Sequence, residues 1–154
     1  MTPNRQFIIC GSISLLLLAL IWGNSLQPAA ASDALSTGVL AQLQQLWYNI
    51  TASPFPLSNH ILRKLGHFSE FLLFGLFATL TATARHHKKN LVIPVVLYMG
   101  LMVAVLDETI QHFSPGRGPQ VTDVLIDHSG FCCGLLLALL ISKWLTAMYQ
   151  GLSK

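Results

Sequence analysis

The residues of this chain that could do chemistry are gathered in two stretches. One is "RKLGHFSE", which holds Arg63, Lys64, His67 and Glu70. The other is "LDETIQHFSPGRGPQVTDVLIDHSG", which holds Asp107, Glu108, Gln111, His112, Arg117, Asp123, Asp127 and His128. Together they contain five of the six acidic residues, and Asp33 alone lies outside them. Two kinds of chemistry suit such a set. Lysine and arginine hold phosphate, and arginine can do so through two parallel N–H donors. Carboxylates and histidine divide acid and base roles when their surroundings push their proton affinities apart. The candidates for that role are His67, Glu70, Glu108 and Asp123. No fixed ligand spacing such as H-E-x-x-H is present, and no nucleophile stands in a recognisable setting. Cys10, Cys132 and Cys133 lie within apolar runs and have no zinc-type spacing. The sequence assigns no metal and no cofactor.

The elements that must position these residues are apolar. The chain is 53% hydrophobic and 10% charged, against roughly 25% charged in ordinary soluble domains. Apolar segments run over residues 7–23, 67–84, 91–108 and 124–149. Roughly 17–25 helical residues cross a bilayer core. The prediction is an all-α membrane protein, one domain over residues 1–154, built as a bundle of about four transmembrane helices. Ser58 can cap the second helix, which then begins near Asn59. Thr122 or Asp123 can cap the fourth. Between the first two segments, Val39, Leu40, Leu43, Leu46, Trp47 and Ile50 recur at helical spacing. Residues 39–50 are therefore expected to form a short amphipathic helix, lying at the membrane interface or packed over the bundle. No basic stripe with interleaved aromatics is present, so nucleic acid is not an expected partner.

With four crossings, six of the nine lysines and arginines fall on one side. They include the run "RHHKK" and both chain ends, so the termini are expected in the cytoplasm. The two chemical stretches then meet at the outer face. On the second helix, residues three or four apart are neighbours, which groups Lys64 with His67 and Arg63 with His67 and Glu70. On the fourth, Asp123, Asp127, Gly130 and Gly134 share a stripe. Gly130 and Gly134 let two helices approach closely in lipid, so Asp127 is expected to face the bundle interior. A carboxylate at that depth needs a partner or a wet cavity. Asp33 is expected to stay outside the cluster. The plain alternatives are that Asp123 is only a cap, that Arg117 only neutralises carboxylates, and that His60 and His128 are interfacial polar residues.

Three blocks of this sequence resemble the VanZ-like family of small bacterial membrane proteins. The first is "NSLQPAAASDALSTGV", with Ser25, Gln27, Ser32 and Ser36. The second is "RKLGHFSEFLLFG", with Lys64, His67, Glu70 and Gly75. The third is "DETIQHFSPGRGPQVTDVLIDHSG", with Glu108, Gln111, Pro115, Gly116, Arg117, Asp123, Asp127, Gly130 and Gly134. Some family members carry Asn where Asp127 stands, which implies that the shared function does not require a charge there. Since "NSLQPAAAS" belongs to a family block, the resemblance implies that the first segment is a retained anchor. It also implies a bacterial cytoplasmic membrane, and it implies a link to glycopeptide response, since the namesake is associated with resistance to teicoplanin.

Three functional readings follow. The leading one is a binding or adaptor protein for an anionic envelope lipid or a lipid-linked cell-wall precursor at the outer face. Its ligand-binding residues would be Arg63, Lys64, His67, Glu70, Glu108, Gln111, Arg117, Asp123 and Asp127. The second is a membrane enzyme acting on a lipid-linked phosphate or sugar. The third is a structural protein whose polar cluster locks helix ends and whose partner is another membrane protein.

Overall fold

In a computed structural model, which describes residues 2–85 and 89–152, the chain forms five helices. They are α1 (Pro3–Ser25), α2 (Ala29–Thr51), α3 (Asn59–Arg85), α4 (Lys89–His112) and α5 (Val121–Leu152). Four of them, all but α2, are long and apolar enough to cross a membrane. His86, His87 and Lys88 of the basic run, and Lys154, lie outside the described residues.

Local signals explain where the helices start and stop. Pro3 opens α1, where a missing N–H costs nothing. The Ser58 hydroxyl accepts the Ile61 amide at 3.4 Å and so caps α3, as expected. Helix α5 begins at Val121, ahead of both expected caps. Asp123 is therefore not the cap. It lies inside the first turn, and its carboxylate turns to Lys64 on α3.

The helix between the first two spans also differs from expectation. It begins at Ala29, well before residue 39. Hydrophobic periodicity starts only at Val39, but "AAASDAL" is rich in alanine, the strongest helix former, and the helix extends through it. None of its residues is buried, and it leans on α3. It ends at Ala52, whose φ of 51° is the left-handed stop common at helix C-termini.

The spans pack as an up-and-down bundle with α3 at its centre, against α5 on one side and α1 on the other. Glycines set the closeness of α3 and α5. A Cβ on Gly130 would collide with the Phe68 carbonyl, and one on Gly134 with the Leu72 carbonyl. Gly75 on α3 meets the backbone of Phe131 in the same way. Phe71, Phe74, Phe131, Ile21 and Ala104 fill the centre. The surface is inverted relative to a soluble protein. Leu15, Leu16, Val95, Met99, Leu140 and Trp144 are exposed, while Asp107, Glu108, Gln111 and Asp127 are buried. Lipid accommodates the first set, and helices keep every backbone group satisfied within it.

Candidate functional site

The bundle brings its polar residues to one end, where α1 and α4 finish and α3 and α5 begin. This end divides into a closed half and an open half.

The closed half centres on Asp107, which is fully buried. Ser25 at the end of α1 donates its hydroxyl to Asp107 Oδ1 at 2.5 Å. Gln111, one turn further along α4, donates Nε2 to Asp107 Oδ2 at 2.9 Å and to Ser25 Oγ at 3.3 Å. Ser114 donates its hydroxyl to the Ser25 carbonyl at 2.7 Å, and the Ala29 amide donates to the Pro115 carbonyl at 3.0 Å. The turn "SPGRG" is thereby fastened to the α1–α2 junction. Gly116 supplies the φ of 76° that the turn requires, a conformation other residues rarely adopt. Glu108 belongs to this fastening as well, because its Oε2 accepts the Gln120 amide at 2.8 Å and fixes the approach to α5.

The open half is a cavity of about 390 Å³ between α1, α2, α3 and the turn. Asn24, Gln27, Arg63, His67, Glu70 and Arg117 line it. Asn24 donates Nδ2 to Glu70 Oε1 at 2.7 Å. Arg63 pairs with Asp33 of α2 at 2.6 Å. Asp33 was expected outside the cluster; the early start of α2 carries it onto the rim instead. Arg117 differs from its neighbours. Its Nε and Nη1 are buried and have no hydrogen-bond partner among the described residues. Burial first, and then the nearby Arg63, pull the Arg117 pKa below its ordinary value. Arginine nevertheless keeps its charge in proteins.

His67 also lines a smaller cavity of about 90 Å³, together with His60, Lys64, Gln111, Asp123 and Asp127. Lys64 Nζ meets Asp123 Oδ1 at 2.6 Å. His67 Nδ1 stands 3.9 Å from Asp127 Oδ1. Asp127 is fully buried, as its glycine stripe requires, and neither of its oxygens has a hydrogen-bond partner among the described residues.

The nine residues expected to bind a ligand thus divide three ways. Arg63, His67, Glu70 and Arg117 line the open cavity. Lys64, Gln111, Asp123 and Asp127 stand around the smaller one, with His67 and Arg63 on the wall between. Glu108 lines neither and faces a separate groove with His112 and Gln120. Of the four acid–base candidates, Glu70, Glu108 and Asp123 already accept from Asn24, Gln120 and Lys64. His112 is exposed and packs edge-on against Phe113 at 5.4 Å. His128 lies parallel to the Phe131 ring at 6.4 Å. Asn24 and Ser114 are additions that charge and motif alone did not single out.

Comparison with curated proteins and with solved structures finds no match. A protein family does match. The family described as VanZ/LLP1 covers residues 12–142, which takes in the second half of α1 through most of α5 and every residue of the polar end. The match includes most or all of each of the four apolar spans, the turn around Arg117 and the glycine-mediated approach of α3 and α5, and the chain belongs to the VanZ/LLP1 family.

Proposed function

We propose that this multi-pass membrane protein binds the anionic headgroup of an envelope lipid or lipid-linked cell-wall precursor in the open cavity. Arg117 carries the reading. Two buried, unpartnered N–H groups on one guanidinium cost roughly 1–3 kcal/mol each. A phosphate accepts both in a bidentate bond and removes that penalty. Arg63, paired with Asp33, lines the same cavity, while Asn24 and Gln27 offer amides to further oxygens or sugar hydroxyls. The cavity is large enough for a headgroup. The positive-inside bias supports placing this end at the outer face of the bacterial cytoplasmic membrane, with both termini inside.

Native mass spectrometry of protein taken gently from bacterial membranes tests the reading. Wild type should carry a discrete lipid-linked anion, and Arg117→Ala should lose it at unchanged fold. Bare protein in both samples, or equal retention in both, overturns it. The link to glycopeptide response is a further step. Cells producing the wild type should be less susceptible to teicoplanin than cells producing Arg117→Ala, and equal susceptibility removes that link.

A structural reading is favoured for the closed half by a specific observation. Ser25, Asp107, Gln111 and Ser114 satisfy one another across α1, α4 and the turn. We assign these groups to holding the cavity open and Arg117 in place. The enzyme alternative has fewer supports, because three of its four candidate residues already hold a hydrogen bond or ion pair.

A further inference from the structure

Asp107 and Asp127 are both fully buried, on α4 and α5. Two of the three lysines and arginines at this end are engaged elsewhere. Lys64 pairs with Asp123 and Arg63 with Asp33. Among the described residues, no lysine or arginine forms an ion pair with Asp107 or Asp127. The nearest basic group to Asp127 is the imidazole of His67, at 3.9 Å from Nδ1 to Oδ1. Neither Asp127 oxygen has a hydrogen-bond partner among the described residues, and Asp127 lines the same small cavity as His67. Two ionised carboxylates buried side by side repel each other and lose their hydration.

One ligand atom from each of His67, Asp107 and Asp127 lies within 4.8 Å of the others. Zinc–nitrogen and zinc–oxygen bonds are about 2.0–2.2 Å long, so three ligand atoms around one such ion stand up to about 3.6 Å apart. The side chains must therefore close in by about 1 Å to grip the ion. We propose that His67, Asp107 and Asp127 bind a divalent transition-metal ion of the zinc or manganese type. One imidazole nitrogen with two carboxylate oxygens is a mixed donor set that these ions accept, whereas magnesium and calcium prefer oxygen alone. The charges balance, since a divalent cation offsets two carboxylates. The supporting shell is present: Ser25 and Gln111 donate to the two oxygens of Asp107 and orient it. Each carboxylate oxygen has a second lone pair left for the ion. Access is through the smaller cavity, which His67, Gln111 and Asp127 line. Three protein ligands leave coordination positions open, and His67 also lines the cavity that holds Arg117. The site belongs to this chain, which has Asp at position 127.

No motif announces this site because its ligands come from α3, α4 and α5, one from each. The metal and the anion proposals fail separately: Arg117→Ala should lose the anion and keep the metal.

The test is metal content of the full chain, purified in detergent on a tag free of histidine and without chelator, then exposed to Mn²⁺ or Zn²⁺ and desalted. Wild type should retain about one ion per chain, and the ion should raise its Tm. Asp127→Asn and Asp107→Asn should each weaken binding at least roughly tenfold, while His112→Gln should bind as wild type does. Cobalt substitution gives a second readout, a visible absorption band that His67→Gln should shift or abolish. Wild type that retains no ion and shows no Tm shift overturns the proposal, whether or not the variants fold. So does equal retention by wild type and both carboxylate variants.

Discussion

The Ser25 hydroxyl donates to Asp107 Oδ1 at 2.5 Å, which joins the end of α1 to α4 across 82 residues of chain. Both groups are completely buried, so the bond has no water to replace it. Ser25→Ala leaves a buried carboxylate oxygen short of a donor and should cost about 1–3 kcal/mol. The drop is read as a lower Tm in detergent. Ser36→Ala is the comparison, because its hydroxyl bonds an exposed carbonyl of its own helix. That change should leave Tm where it was. Equal Tm values for the two variants would remove Ser25 from the structural lock.

Gly134 should tolerate no side chain. A Cβ there would overlap the Leu72 carbonyl and crowd the Leu76 amide, and backbone cannot step aside as a flexible side chain can. Gly134→Ala should cost at least the roughly 1–3 kcal/mol of an overpacked core, and Gly134→Leu should prevent assembly of α3 on α5. Gly38 sits mid-way along exposed α2 with nothing near its missing Cβ. Gly38→Ala should stabilise α2 by about 0.5–1 kcal/mol. Thermal unfolding of the pair checks both signs in one experiment.

Much of this architecture was readable from residue pattern, and the misses have physical reasons. The four spans follow from length and apolarity, which bilayer thickness makes stringent. Ser58 was readable as a cap because it stands just before the helical pattern, and Asp127 as interior because it shares a stripe with Gly130 and Gly134. The start of α2 was not readable by periodicity, since "AAASDAL" is helical through alanine and has no apolar face to recur. Asp33 followed that error: once α2 reaches back to Ala29, Asp33 comes to Arg63. The division of the polar end into closed and open halves was also hidden. It depends on neutral partners, Asn24, Ser25 and Ser114, whose roles exist only when α1 and the turn after α4 are side by side.

Orientation can be read at Phe113, which is exposed at the end of α4 beside the turn. With Cys10, Cys132 and Cys133 replaced, Phe113→Cys should react with a membrane-impermeant maleimide added to intact cells. A cysteine in place of Lys143, at the other end of the bundle, should react only after the membrane is opened. The reverse pattern would place the polar end in the cytoplasm and would remove an outer-surface ligand from consideration.

Arg117 separates binding from structure most cleanly. If its role were to neutralise carboxylates within the fold, its removal would leave buried negative charge and lower the Tm. Its Nε and Nη1 instead have no hydrogen-bond partner among the described residues, and burial already works against its charge. Arg117→Ala should therefore leave the Tm unchanged or raise it by a few degrees, as happens when a strained functional group is removed. The same variant should lose the bound anion. Arg117→Lys keeps the charge but not the planar fork, so it should retain part of the anion while losing the bidentate contact. A marked fall in Tm for Arg117→Ala would assign the residue to the fold and leave the cavity without its main anion donor. Unchanged Tm with lost ligand would mean that the turn fastened by Ser25, Ser114 and Gly116 exists to hold an arginine for something outside the protein.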